Sequence, residues 1–179
     1  MVFRYGDKYV VTLSGIYMNE NGTMGVAVGF TASPLKSRHT SSWVIHDYGL
    51  IIFFFDKEGN VLRIVFIPFK EIENNMEQTW GKIKELLGNY GVSMDDFYYV
   101  LDALMDFCDE MCDTLSDYSG ELAALAIIVG LIFTPPVGVP VATLLGLLAF
   151  GFHCDSRTWD HWRDVLEAFQ DLVDEDRER

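Results

Sequence analysis

The side chains best equipped for chemistry in this sequence are three cysteines and two histidines near them. Cys108 and Cys112 lie one helical turn apart, His153-Cys154 follows later, and His161 comes after that. On neighbouring antiparallel helices, Cys108, Cys112, His153 and Cys154 could converge tetrahedrally on zinc. The paired Cys-x-x-Cys knuckles of structural zinc sites are missing, however. Cys108 also falls on an apolar helical stripe, where a thiol packs as a small hydrophobe. The expectation is packing thiols, with no metal and no other cofactor.

Catalytic constellations are equally scarce. The sequence has no Gly-x-Ser-x-Gly, no phosphate-cradling Gly-rich loop before a lysine, and no His-Glu-x-x-His. His39 and His46 lie near Asp47, but adjacency in sequence fixes no geometry. Gly22, Gly25 and Gly29 read as turn and close-packing residues, because no helix follows them. We expect a protein that is not an enzyme.

The elements that would position these residues fall into two unlike halves, residues 1–91 and 92–179. Up to about Ile72 the sequence reads as strands between turns: residues 8–18, 23–32, 42–46, 50–55 and 61–66. Asn19-Glu20-Asn21-Gly22 supplies turn chemistry between the first two. Asn21-Gly22-Thr23 matches a glycosylation sequon but is more simply a hairpin turn. Ile51-Ile52-Phe53-Phe54-Phe55 is apolar on both faces, which suits a central strand or one covered by a helix.

Three amphipathic helices are expected after the strands. Their stripes are Met76, Trp80, Ile83 and Leu87; then Phe97, Leu101, Leu104, Cys108, Met111 and Leu115; then Trp159, Trp162, Leu166, Phe169 and Val173. Ser93-Met94-Asp95-Asp96 offers a capping start to the second. Opposite its stripe lie Asp102, Asp106, Asp109, Asp113 and Asp117, a solvated face or a surface for a basic partner, a divalent cation, or protons that switch the hairpin over 121–153 into lipid.

Between the second and third helices, Leu122 to Phe152 is 31 residues without a charge. Leu122, Ile127, Ile128, Leu131 and Phe133 lead to Pro135, Pro136 and Pro140, and Leu144, Leu147, Phe150 and Phe152 follow. Three prolines in six residues rule out one straight helix. The expected form is an apolar hairpin over 121–153, with arms of about 20 Å against a hydrocarbon core of about 30 Å. Helices apolar on every side need cover on every side, or lipid.

Residues 43–88 resemble the latter part of a PH/GRAM-type domain. The resemblance rests on Leu50–Phe55, an acidic-Gly turn, and Ile64-Val65-Phe66-Ile67-Pro68-Phe69-Lys70-Glu71-Ile72, with 76–87 and its Trp80 similar to the closing helix of such domains. It implies a small sheet capped by a helix. The basic loops with which many such domains bind phosphoinositides reduce here to Lys36-Ser37-Arg38, so no ligand is implied. The back half is similar to colicin-type pore formers in layout alone.

Composition narrows the function. Residues 1–92 carry nine Lys/Arg and nine Asp/Glu, whereas 93–179 carry four and eighteen, the whole net charge of −14. Such a half repels nucleic acid and anionic headgroups and attracts basic partners. No signal peptide is legible at the start, and three cysteines point to a reducing, cytoplasmic compartment. The reading is an α+β protein: a PH-like β-rich domain over 1–91, then acidic amphipathic helices flanking a hydrophobic hairpin. Its expected role is a non-enzymatic, membrane-associated protein whose partner is the lipid bilayer, with a transmembrane helix in the hairpin region. The alternative is a soluble homo-oligomer that buries the hairpin in its helical core.

Overall fold

The structure, a computed structural model, describes residues 1–34, 43–110 and 156–179. It is α+β: a curled antiparallel sheet comes first and helices follow.

The strands are β1 (Val2–Tyr5), β2 (Lys8–Thr12), β3 (Tyr17–Met18), β4 (Met24–Pro34), β5 (Trp43–Phe55) and β6 (Val61–Pro68). Their order is β1-β2-β4-β5-β6, with β3 also paired to β4. The stretch 8–18, expected as one strand, breaks at Ser14-Gly15. There the Ser14 hydroxyl accepts the Val28 N–H at 2.9 Å and replaces a ladder bond. Conversely, the two strands expected over 42–55 are one: β5 stays paired with β4 on both sides of a register shift at His46-Asp47.

Turn chemistry is explicit at both long hairpins. The Asn19 side-chain oxygen accepts the N–H groups of Thr23 and Met24 at 2.9 and 3.0 Å. Asp56 does the same for Glu58 and Asn60, at 3.0 and 2.8 Å. The Asn60 side chain donates to it as well, and these bonds hold its carboxyl below the usual carboxylate range.

Both faces of the central strands are covered, which is why Ile51–Phe55 needs no polar alternation. Met24, Val26, Val28, Phe30, Leu50, Ile52 and Phe54 share one face and are fully buried. Phe54 stacks on Tyr90, just past the helix over Met76–Asn89, with ring centroids 4.1 Å apart. On the other face the sheet curls over itself. Val10, Ala27, Ile51 and Phe53 are buried there beneath Phe3, Tyr5, Ile16, Phe55, Ile64 and Phe66. Tyr5 of one edge strand and Phe66 of the other come to 6.5 Å. Gly29 and Gly49 sit opposite each other at the tightest point. A Cβ on either would collide with a neighbouring carbonyl, Val11 or Ile67, so only glycine permits that approach.

The helices are α1 (Phe69–Asn74), α2 (Met76–Asn89), α3 (94–110 as described) and α4 (Ser156–Glu178). The short α1 occupies residues that the resemblance above treats as the end of a strand. Ser93 caps α3, accepting the Asp96 N–H at 3.1 Å. The transmembrane helix expected from the sequence is corrected: among the described residues, no helix is long and apolar enough to cross a membrane. At 23 residues α4 is about 34 Å long, enough for the hydrocarbon, but it carries a charge on nearly every turn.

Candidate functional site

The chain divides into two units, residues 1–107 with 164–179, and residues 108–163. In the first, the apolar stripes of α2, α3 and α4 converge on three aromatic rings. Trp80 stacks on Phe97 at 5.6 Å, and Phe169 meets both edge-on at 6.0 and 6.4 Å. All three are at most 3% exposed. Helix α4 runs antiparallel to α3, since Arg177 pairs with Asp95 and Gln170 with Asp102.

Polar contacts fasten the end of α4. The Trp80 indole N–H donates to Asp176 Oδ2 at 2.9 Å, and Lys84 Nζ donates to the same oxygen at 2.7 Å. The Lys84 and Trp80 bonds hold the Asp176 carboxyl below its ordinary value. Arg177 forks onto Asp174 and lies over the Tyr98 ring, 4.2 Å from its centroid and 5.6 Å from that of Tyr99. Its Asp174 partner raises its pKa further. Tyr98 is pushed up by burial, with Asp174 adding to the effect.

In the second unit, Asp109 and Arg163 approach to 3.7 Å. The chain between them therefore leaves and returns at one place. The hairpin expected over 121–153, with its residues from Leu122 to Phe152, lies outside the described residues. So do Cys112, His153 and Cys154 of the zinc alternative, and Asp113 and Asp117 of the acidic face. Cys108 is described, and it is buried at 1% exposure. No cluster of three or more metal-ligating side chains occurs among the described residues. Asp102 and Asp106 are exposed on α3, and Asp102 accepts the Gln170 amide at 2.8 Å.

Two arrangements were not foreseen in the sequence. His46 Nε2 meets Ser33 Oγ at 2.6 Å on the outside of the sheet. His46 and Asp47 lie together where the register of β5 against β4 shifts, between the Phe30–Tyr48 and Ala32–Ile45 pairs. The second arrangement is a cleft of about 220 Å3 where the β3–β4 turn meets α3, lined by Met18, Asn19, Glu20, Asp96 and Tyr99 among others. A cue for it was present in the turn signature beside Ser93-Met94-Asp95-Asp96, but nothing local joins residues 77 positions apart.

No family model, curated protein or solved structure matches the chain. Function is therefore argued from geometry and composition.

Proposed function

We propose that this chain is a non-enzymatic, membrane-associated protein that holds its β-domain at a bilayer, or perturbs the bilayer, through residues 121–153. One observation carries the reading: 31 uncharged residues lie between two helices whose apolar stripes are in part already packed. Trp80, Phe97 and Phe169 cover one another, and Leu122 to Phe152 contains no charge. Phe97 and Phe169, on the two helices that flank the segment, are thereby unavailable to sheathe it. A large bare apolar surface needs lipid or a second copy. Attachment by insertion from one side suits a segment interrupted by Pro135, Pro136 and Pro140.

The curled sheet followed by helices supports a PH-like reading of 1–91, in which the β-domain is the cargo brought to the surface. Flotation of the full chain with neutral and with anionic vesicles tests the proposal. Co-flotation that is lost when 122–152 is replaced by a Gly/Ser linker is the expected result. A monodisperse oligomer that ignores vesicles of both kinds would replace it with the homo-oligomer.

A further inference from the structure

Independently of any membrane, the cleft between the β3–β4 turn and α3 has a chemistry of its own. Its walls come from two elements that a buried side chain holds together. Asn19, 7% exposed, accepts the Thr23 and Met24 N–H groups through its oxygen. Its nitrogen donates to Thr23 Oγ1 at 3.0 Å and reaches Asp96 Oδ2 at 3.4 Å. Two carboxylates, Glu20 and Asp96, border the opening, and neither meets a cationic side chain among the described residues. Beside them stand two large apolar side chains that a folded surface ordinarily covers, Tyr99 at 63% exposure and Met18 at 44%.

Carboxylates beside an exposed tyrosine ring form a receptor for an organic cation, and Tyr99 keeps that exposure although Arg177 stands 5.6 Å from its centroid. Anions are excluded by charge. A divalent ion finds too few oxygens, because the Asn19 carbonyl is committed to two backbone N–H groups. A guanidinium fits best, since it stacks flat on a tyrosine and forks to a carboxylate in one pose, which an ammonium cannot do. The chain already builds this arrangement once: Arg177 lies over Tyr98 while forking onto Asp174.

We infer that this cleft receives an arginine side chain from a basic segment of a partner protein, stacked on Tyr99 and paired with Glu20 and Asp96. The surplus of negative charge on residues 93–179 draws such a segment in and opposes acidic competitors.

Titration of the full chain with the peptide acetyl-Gly-Arg-Gly-amide, followed by amide chemical shifts, tests this. Saturable shifts are expected at Asn19, Glu20, Asp96 and Tyr99. The citrulline peptide, which has the same shape without the charge, should bind about tenfold more weakly, and Glu20→Gln should weaken the arginine peptide about threefold to fivefold. Glu20 is exposed, so that variant keeps its fold. Tyr99→Leu, which keeps the apolar contact and removes the π face, should also weaken it. Equal binding of the citrulline peptide would overturn the inference. So would shifts centred on Asp102 and Asp106, or saturation of the same resonances by magnesium or calcium alone.

Discussion

Asp176 shows how one carboxylate can tie two elements together. It takes the Trp80 indole N–H and the Lys84 ammonium on the same oxygen, and both contacts favour its charged form. Its folded pKa lies below its ordinary value of 3.8, so its contribution is present above that value. The contribution is lost as pH falls through the lower, folded value. Wild type and Asp176→Asn should therefore differ in stability by a constant amount from pH 7 to about pH 5 and converge only in stronger acid. Urea midpoints across that range would show it. A difference that vanished by pH 5 would mean that the pair is not formed in solution. Trp80→Ala removes a buried ring from the junction of three helices and should cost about 3–5 kcal/mol. Trp80→Phe, which keeps the ring stack and loses only the donor, should cost far less. The pair of variants separates packing from the hydrogen bond.

Among the elements, β4 and β5 depend on having no side chain at Gly29 and Gly49. Either residue changed to Ala places a Cβ against a carbonyl where the sheet coils most tightly. Gly29→Ala should destabilise by about 1–3 kcal/mol, read from the urea midpoint, because the backbone must shift to admit it. Helix α3 depends on Ser93 in a milder way, and Ser93→Ala should cost about 1 kcal/mol. That cap was legible in the sequence, as were the stripes through Trp80, Phe97 and Phe169, because helical signals are local and repeat every three or four residues. Strand limits were less legible. The extension of β5 through Asp47-Tyr48-Gly49 depends on a partner strand, and the first strand carries too few residues to announce itself. The cleft at Asn19 was legible only as two separate pieces, the turn and the helix start, since nothing local joins a turn to a helix far along the chain. The transmembrane expectation rested on hydropathy, and among the described helices hydropathy is divided between one apolar stripe and a charged surface.

For the whole molecule, the uneven distribution of charge sets the conditions under which any bilayer is met. Residues 93–179 carry eighteen carboxylates against four arginines. At neutral pH they repel anionic headgroups and resist a low-dielectric region, where an unpaired ion is costly. Flotation with anionic vesicles should therefore be stronger at pH 5 than at pH 7.5, and neutral vesicles should show a smaller change. Equal binding at both pH values would mean that the apolar segment outweighs its flanks. The Asp176 contact cannot supply this response, because it stays ionised through that whole interval.

The antiparallel run of α3 and α4 has a mechanical consequence. The segment 108–163 leaves this pair after Phe107 and re-enters it at Asp164, both at the end beyond Asp102 and Gln170. A tension applied through that segment, from a bilayer or a partner, would not slide one helix along the other. It would open them like a zip, one rung at a time: Asp102 with Gln170, then Phe97 with Phe169, and finally Asp95 with Arg177. Loading contacts in succession calls for much less force than breaking them together. Pulled between residues 107 and 164, the pair should part gradually; pulled between 94 and 164, along the helices in shear, it should hold to a distinctly higher force.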